Sequence, residues 1–274
     1  MSSSAPTPAD AQAAAASAMR WDPAQYQRYS DQRSRPFFDL LAQVQAESPA
    51  TVIDVGCGSG ELTISLAGRW PRARVHGVDS SPEMIERAPS ARGVTFALAD
   101  ARQLDATGTD VLISNALLQW VPGHLELLGR WAAQLNAGGW LAFQVPANFD
   151  APSHRLMHDL AGSSRWRELL GGALRGATPV AEPAEYLALL APLGMHVDAW
   201  QTQYLHVLHG QDPVLEWMRG TGLRPVLAAL PEDQVGEFSS QYGELLRAAY
   251  PPRPYGTVFG FTRTFVVAHK LTSS

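Results

Sequence analysis

Short apolar segments alternate with helical segments through the first half of the chain, and this alternation constrains the fold more than any other feature. Strands are predicted at 51–55, 74–78, 94–98, 111–114 and 140–145, and helices at 62–69, 82–88 and 124–135. A further helix at 35–44, with Pro36 in its first turn, precedes the first strand. Strands that follow one another through helices form right-handed crossovers. The pattern therefore predicts an α/β fold with a doubly wound, mostly parallel sheet covered on both faces.

The alternation changes after Pro146. Helical patterns occupy 153–170, 183–193 and 213–250, a loop is predicted at 171–179, and long strands are predicted at 196–208 and 258–269. We expect a single domain over 21–274, with helical inserts at about 152–182 and 211–250 forming a cap over the carboxyl ends of the strands. Residues 1–20 are rich in Ala, Ser and Pro, which predicts a disordered tail.

Composition narrows the classes of partner. The 274 residues carry a net charge of -5, so there is no basic stripe to bind a nucleic-acid backbone. Because the sequence contains a single cysteine and no Cys/His cluster with metal-binding spacing, we expect a cytoplasmic protein without a metal site. No apolar stretch approaches the roughly 20 residues of a membrane span. The expected partner is a small molecule, and the sequence leaves the oligomeric state open.

A glycine-rich loop follows the first strand, with Gly56, Gly58 and Gly60 spaced G-x-G-x-G. Glycine permits a positive φ and a close approach of the backbone to a ligand, and the next helix offers free amides. The loop alone is equally compatible with a dinucleotide site or a tight structural turn. Dinucleotide sites space their glycines as G-x-G-x-x-G, which disfavours a nicotinamide oxidoreductase.

Carboxylates at successive strand ends separate these alternatives. Asp54 is the penultimate residue of the first strand, Asp79 stands nineteen positions beyond Gly60 at the end of the second, and Asp100 follows the third. An acid at the second strand end can accept both ribose hydroxyls of a nucleoside. Acidic surroundings disfavour a diphosphate and suit a sulfonium cation with its α-amino group. Asp100 taken alone is equally explained as a helix N-cap, and Cys57 is interpreted as a small packing residue.

This pattern resembles the class I methyltransferases that use S-adenosylmethionine, and further motifs narrow the resemblance. Over 21–270 the sequence is similar to the trans-aconitate methyltransferases. Departures are Ser59, where members often carry proline, and Ala147, where a polar residue or glycine is common. The motifs that carry the resemblance are Trp21-Asp22-Pro23 with Tyr26, Arg33-Ser34-Arg35-Pro36, Val78-Asp79-Ser80-Ser81-Pro82, Asn115-Ala116-Leu117-Leu118-Gln119-Trp120, Gln144-Val145-Pro146-Ala147-Asn148, Trp200, Tyr204 and His206, and Thr221-Gly222-Leu223-Arg224-Pro225.

The resemblance implies a seven-stranded Rossmann-like sheet, S-adenosylmethionine as cofactor, and methyl transfer to a carboxylate of a small tricarboxylic acid, giving a monomethyl ester. It implies two sets of site residues. The cofactor set is Tyr26, Arg33, Asp54, Gly56, Cys57, Gly58, Gly60, Asp79, Ser80, Met84, Asp100, Ala101, Asn115 and Ala116. The acceptor set is Gln119, Trp120, Tyr204, His206 and Arg224.

A carboxylate acceptor explains why no general base is expected. A carboxylic acid with a pKa near 4 is ionised at neutral pH and attacks the methyl group directly. The remaining carboxylates need cationic or hydrogen-bonding clamps. Trp217 and Arg263 are interpreted as core and salt-bridge residues. The alternatives are a methyltransferase for another small acceptor and a cofactor-binding regulatory module without catalysis.

Overall fold

The computed structural model describes residues 30–170 and 180–272, with side chains from residue 34 onward. A seven-stranded sheet with the order β3-β2-β1-β4-β5-β7-β6 organises these residues. Its strands are β1 (Thr51–Val55), β2 (Arg74–Asp79), β3 (Val94–Leu98), β4 (Val111–Asn115), β5 (Trp140–Pro146), β6 (Met195–Leu208) and β7 (Thr257–Lys270).

The first five strands of the sheet are parallel, and the chain order reverses between β1 and β4. β7 lies antiparallel to β5, with Pro146 opposite Arg263 and Gln144 opposite Phe265. The carboxyl ends of β1 to β5 therefore share one edge of the sheet. This topology confirms the predicted doubly wound, mostly parallel α/β fold.

Helices connect the strands and follow them. They are α1 (Ser30–Gln43), α2 (Glu61–Arg69), α3 (Pro82–Glu86), α4 (His124–Gln134), α5 (Pro152–Ala161), α6 (Arg167–Leu170), α7 (Pro183–Leu190), α8 (Pro213–Arg219), α9 (Arg224–Ala229) and α10 (Glu232–Ala249). None of these helices, nor any other in the described residues, is long and apolar enough to cross a membrane.

The chain divides into two compact units. The described part of the larger unit comprises 31–148, 180–204 and 261–272, and that of the smaller unit comprises Ser30, 149–170 and 205–260. Most of the predicted helical inserts belong to the smaller unit. Their interpretation as a cap, and of 21–274 as a single domain, stays a prediction.

The larger unit has an apolar layer on each face of the sheet. One layer joins Phe143 and Val266 of the sheet to Trp131 of α4 and Tyr186 of α7. The other joins sheet residues such as Ile113 and Phe265 to side chains of α1 and α2, among them Phe37, Leu40 and Leu66. Because both faces are covered, the strands read as continuous apolar runs in the sequence.

The smaller unit is held by aromatic side chains and by hydrogen bonds between its helices. Tyr242 of α10 donates its hydroxyl to the carbonyl of Ser153 in α5 at 2.8 Å. The indole of Trp166 donates to Gln241 of α10 at 2.8 Å, and its ring packs edge-on against Phe238. These contacts fix α5 and the turn before α6 against the longest helix of the unit.

Several predicted boundaries are corrected. α1 begins at Ser30, so that Pro36 lies inside the helix and not in its first turn. The predicted helix at 153–170 is interrupted after Ala161, where Gly162 caps the end of α5, and α6 begins at Arg167. The predicted tail at 1–20 and the loop at 171–179 lie outside the described residues.

Candidate functional site

The glycine loop between β1 and α2 is fastened to the neighbouring strand. The amides of Gly56 and Cys57 both donate to the carbonyl of Val78 in β2, at 2.8 and 3.0 Å. Gly60 caps α2 with a φ of 79°, and a Cβ there would lie 2.4 Å from the ring of Phe96. Glycine is therefore required at this position both by backbone conformation and by packing.

Gly58, in the middle of the loop, faces open space. Its φ is 55°, and a Cβ at this position would meet nothing within 4 Å. Its amide donates to Oδ2 of Asp79 at 2.9 Å. The loop thus offers a backbone surface that a ligand can reach, next to a carboxylate.

Asp54 is a buried acid beneath this loop. Its Oδ2 accepts a hydrogen bond of 2.6 Å from the Thr63 hydroxyl of α2. Burial raises the pKa of Asp54 from an ordinary 3.8 to about 6, the Thr63 hydrogen bond lowers it, and the negative charge of Asp79 raises it. A cation bound nearby would relieve this cost, because it favours the ionised carboxylate.

Asp79 ends β2 and is only partly buried. Besides accepting from Gly58, its Oδ1 accepts from the amide of Ser81 at 2.9 Å. Ser81 in turn caps α3 by accepting from the amide of Met84, as the position of Ser81 before Pro82 suggests. Ser80 is exposed and Met84 is buried in the first turn of α3. Each carboxylate oxygen of Asp79 keeps further acceptor capacity for hydroxyl groups.

Cys57 does not have the properties of a nucleophile. Burial, with the charges of Asp54 and Asp79, raises the pKa of its thiol. A thiol that stays protonated at neutral pH is unreactive. The interpretation of Cys57 as a packing residue agrees with this environment.

Asp100 follows β3 and caps the short 3₁₀ helix Ala101–Gln103. It accepts from the amide of Arg102 and pairs with the Arg102 guanidinium through both oxygens. These hydrogen bonds hold the pKa of Asp100 below its ordinary value. The N-cap and the partly exposed carboxylate occur together, so the structural role does not exclude a contact with a ligand.

The end of β4 carries an unusual backbone turn. Ala116, which is not glycine, has a φ of 55°, and its amide donates to the carbonyl of Gln144 at 2.9 Å. Gln119 donates Nε2 to the Ala116 carbonyl at 2.6 Å, while its buried Oε1 has no partner within the described residues. Trp120 is about half exposed, at 48%. An ordered backbone outlier with a buried, unsatisfied acceptor next to it is typical of functional sites.

The end of β4 therefore brings together residues of both sets. Asn115 and Ala116 belong to the cofactor set, and Gln119 and Trp120 belong to the acceptor set. Tyr204 lies elsewhere in the same unit: it is buried in β6, and its hydroxyl donates to Oδ2 of Asp39 in α1 at 2.7 Å. The guanidinium of Arg35 lies 5.2 Å from the centre of the Tyr204 ring. The structure thus gives Tyr204 a contact between sheet and helix that the sequence did not predict.

The other candidates lie in the smaller unit or outside the described side chains. His206 of β6 is buried, with its ring stacked 4.8 Å from the ring of Trp217. Arg224 is the first residue of α9 and is partly exposed. Trp217 is buried, as predicted for a core residue. Tyr26 and the side chain of Arg33 lie outside the described residues, so their proposed cofactor contacts stay predictions.

Sequence reasoning missed three polar residues close to these groups. Thr63 was not singled out, although it is the third residue of the helix that follows the glycine loop. Gln144 was noted only as part of a motif, and Arg263 as a salt-bridge residue. The structure joins Arg263 Nη1 to Gln144 Oε1 at 3.0 Å, and Gln144 Nε2 to Asn115 Oδ1 at 2.5 Å.

Comparisons with known proteins agree with this geometry. A family model described as a methyltransferase domain matches residues 26–207. The trans-aconitate 2-methyltransferase of Streptomyces avermitilis is 52% identical over 260 residues, which cover 91% of this chain and 97% of that protein. The trans-aconitate 2-methyltransferase of Rhodococcus jostii is 51% identical, with 90% of this chain and 98% of that protein covered. The chain belongs to the trans-aconitate methyltransferase family.

Solved structures show the fold of this family member at low sequence identity. The YcgJ protein of Bacillus subtilis has a TM-score of 0.57 at 12% identity, covering 87% of this chain and 99% of that one. Phosphoethanolamine N-methyltransferase 2 of Haemonchus contortus has a TM-score of 0.53 at 16% identity, covering 87% of this chain and 53% of that one. Family membership confirms the predicted resemblance and the interpretation of the protein as a methyltransferase.

Proposed function

We propose that this protein transfers a methyl group from S-adenosylmethionine to a carboxylate of trans-aconitate, forming a monomethyl ester. The observation that carries the proposal is the identity of 51–52% to trans-aconitate 2-methyltransferases over nine-tenths of the chain. The small tricarboxylic acid is the proposed partner. We also propose a cytoplasmic location, where the single cysteine of the sequence would stay reduced.

The cofactor site is proposed to follow the edge formed by β1 to β4. Asp54 and the loop from Gly56 to Gly60 would hold the methionine part, and Asp79 would hold the ribose. A buried acid whose pKa is raised to about 6 suits the cationic amino-acid end of this cofactor. The other proposed contacts are Cys57, Ser80, Met84, Asp100, Ala101, Asn115 and Ala116, with Tyr26 and Arg33 from the N-terminal segment.

The chemistry needs alignment more than proton transfer. When bound, S-adenosylmethionine supplies an electrophilic methyl group on a positively charged sulfur. The ionised acceptor carboxylate needs no general base, so this chain's residues act by binding, orienting and excluding water. Correct orientation of two reactants can be worth about 7–11 kcal/mol of the barrier in the best cases.

The acceptor site is proposed to involve Gln119 and Trp120 after β4, with Tyr204, His206 and Arg224. The role of Arg224 rests on the sequence resemblance. A guanidinium binds a carboxylate through two parallel hydrogen bonds, which suits an acceptor with several negative groups. Tyr204 would have to act in addition to its contact with Asp39.

The proposal is tested by methyl transfer from labelled S-adenosylmethionine to trans-aconitate, cis-aconitate, citrate, isocitrate and representative amines and phenols. Product mass gives the number of methyl groups, and product NMR identifies the esterified carboxylate. Preferential formation of one trans-aconitate monomethyl ester is expected. Transfer to another acceptor class, with none to trans-aconitate, would overturn the substrate assignment and leave the methyltransferase assignment intact.

Two variants separate the cofactor site from the acceptor site. Asp79→Ala should weaken cofactor binding, and Arg224→Ala should raise the acceptor KM more than the cofactor Kd. Arg92→Ala is a matched control, because Arg92 is exposed just before β3, at the opposite edge of the sheet from the strand ends. Equal effects of Arg224→Ala on both constants would contradict its assignment to the acceptor.

A further inference from the structure

Three polar residues lie in register on one face of the sheet at the ends of neighbouring strands. Asn115 of β4 is paired with Gln144 of β5, and Gln144 is opposite Phe265 of β7. Arg263 is two residues from Phe265 and therefore on the same face of β7. Ile113 lies two residues before Asn115, and both Ile113 and Phe265 belong to the same apolar layer. The three polar side chains therefore lie on the face of the sheet that carries this layer, at the edge where the strands end.

Hydrogen bonds link the three side chains into one chain. Arg263 donates Nη1 to Gln144 Oε1 at 3.0 Å. Gln144 donates Nε2 to Asn115 Oδ1 at 2.5 Å. Arg263 is 7% exposed and Gln144 is 1% exposed, so water cannot replace these partners freely.

The arginine fixes the direction of both amides. An amide side chain has a donating and an accepting end, which differ little in shape, but a guanidinium can only donate. Gln144 must therefore turn its oxygen to Arg263 and its nitrogen to Asn115. Asn115 must then accept with Oδ1, which leaves its Nδ2 as the end available for a ligand. Asn115 Nδ2 donates no hydrogen bond within the described residues, and Asn115 is only partly buried.

We propose that Arg263, acting through Gln144, orients Asn115 so that its amide NH₂ group donates to a carboxylate of the methyl acceptor. Arg263 and Gln144 are positioning residues, and Asn115 is the residue that contacts the acceptor. The inference thereby moves the side chain of Asn115 from the proposed cofactor set to the acceptor. The inference rests on the proposed function, because it takes the acceptor to be a small polycarboxylate. A donor at this position stabilises a carboxylate, whereas the amide oxygen would repel it.

The direction of the hydrogen bond between Gln144 and Asn115 can be reversed without changing the shape of either side chain. In Gln144→Glu the new carboxylate still accepts from Arg263, and its charge is compensated by the guanidinium. It cannot donate to Asn115, so Asn115 turns Nδ2 toward residue 144 and presents Oδ1 to the acceptor. Affinity for trans-aconitate should fall by roughly tenfold or more, the scale of a lost hydrogen bond to a charged group.

Cofactor affinity provides the internal control. The Kd of Gln144→Glu for S-adenosylhomocysteine, measured by calorimetry, should stay within about twofold of the wild-type value. A twofold change in Kd corresponds to ~0.4 kcal/mol of binding free energy. Trans-aconitate is then titrated into the S-adenosylhomocysteine complex, which gives acceptor affinity without turnover. Gln43→Glu introduces the same charge at an exposed position at the end of α1 and should leave both constants unchanged.

Arg263 is tested by a conservative pair. Arg263→Lys keeps a group that only donates, so it should preserve most of the acceptor affinity. Arg263→Met removes the donor, releases the direction of both amides and should weaken acceptor binding. Asn115→Asp is a smaller change that serves as the test if Arg263→Met fails to fold. Its carboxylate can still accept the hydrogen bond from Gln144, and it presents a negative oxygen outward, so it should weaken binding of trans-aconitate.

The outcomes distinguish this inference from the proposed function. Loss of acceptor affinity in Gln144→Glu and Asn115→Asp, with lysine rescue at position 263, supports the orienting chain. If the wild type methylates trans-aconitate and these variants keep its affinity for trans-aconitate, the inference that Arg263 and Gln144 orient Asn115 is overturned and the proposed function stands. Absence of trans-aconitate methylation by the wild type overturns the proposed function, and the inference falls with it.

Discussion

Replacing Asp54 with asparagine should stabilise the ligand-free protein while weakening cofactor binding. The folded state raises the pKa of Asp54 from 3.8 to about 6, mainly through burial. Folded protein therefore holds the proton more tightly than unfolded protein, and stability falls as pH rises between these two values. A shift of about two pH units corresponds to about 3 kcal/mol of destabilisation by the charged form at pH 7. The neutral amide of the variant would avoid that cost and can still accept from Thr63.

Urea unfolding of wild type and Asp54→Asn at pH 7 and pH 5 measures this effect. Wild-type Asp54 is largely protonated at pH 5, so the advantage of the variant should shrink by about 1 kcal/mol between the two pH values. Other titrating groups cancel in the difference between the proteins. Asp150→Asn, at an exposed position, controls for the exchange itself. An advantage of equal size at both pH values would refute the assignment of a raised pKa to Asp54.

The cofactor gives the opposite sign in the same pair of proteins. Binding of S-adenosylhomocysteine, which keeps the α-amino group, requires ionised Asp54 in the proposed site. Wild-type affinity should therefore fall by about tenfold from pH 7 to pH 5, as expected for one proton taken up with a pKa near 6. Asp54→Asn should bind weakly at both pH values. A wild-type affinity independent of pH would place the α-amino group away from Asp54.

Two further predictions use residues whose local geometry is clear. Gly60→Ala should lower the free energy of unfolding several times more than Gly58→Ala does. The positive φ costs about 1–2 kcal/mol at either position, but only the Cβ at Gly60 would meet Phe96, at 2.4 Å. Equal losses in urea unfolding would contradict this packing argument. Tyr204→Phe should lose about 1 kcal/mol of stability through the hydrogen bond to Asp39, and an acceptor KM that stays unchanged would remove the Tyr204 hydroxyl from the proposed acceptor set. A raised KM at unchanged stability would instead assign the Tyr204 hydroxyl to the acceptor.

The sheet could be predicted from the sequence because both of its faces are buried. Continuous apolar runs, such as Val52 to Val55 around Asp54, are the direct consequence of two covered faces. Helix boundaries were less accurate. Pro36 is compatible with the first turn of a helix, and sequence alone did not show that α1 already begins at Ser30.

The positions of the candidate site residues could be predicted where they depend on strand ends, and their partners could not be predicted where they depend on pairing across the sheet. Asp79 could be placed at an edge because it follows an apolar strand. The bond between Arg263 and Gln144 joins positions 119 residues apart, and the contact between Tyr204 and Asp39 joins positions 165 residues apart. Such partners depend on strand register and side-chain direction, which a local pattern does not specify.

The polar groups at the edge of the sheet are arranged so that each of the two proposed reactants would meet groups of opposite polarity. Asp54, the penultimate residue of β1, is an acid, and Arg263, in β7 opposite the last residue of β5, is a permanent cation. Between them lie Asn115 and Gln144, whose neutral amides transmit the donor character of Arg263 toward β4. A positively charged methyl donor at the β1 side and a negatively charged acceptor at the β4 side would each meet the opposite polarity. Because the carboxylate needs no base, this separation of polarity, with alignment, is the contribution that the larger unit can make to catalysis.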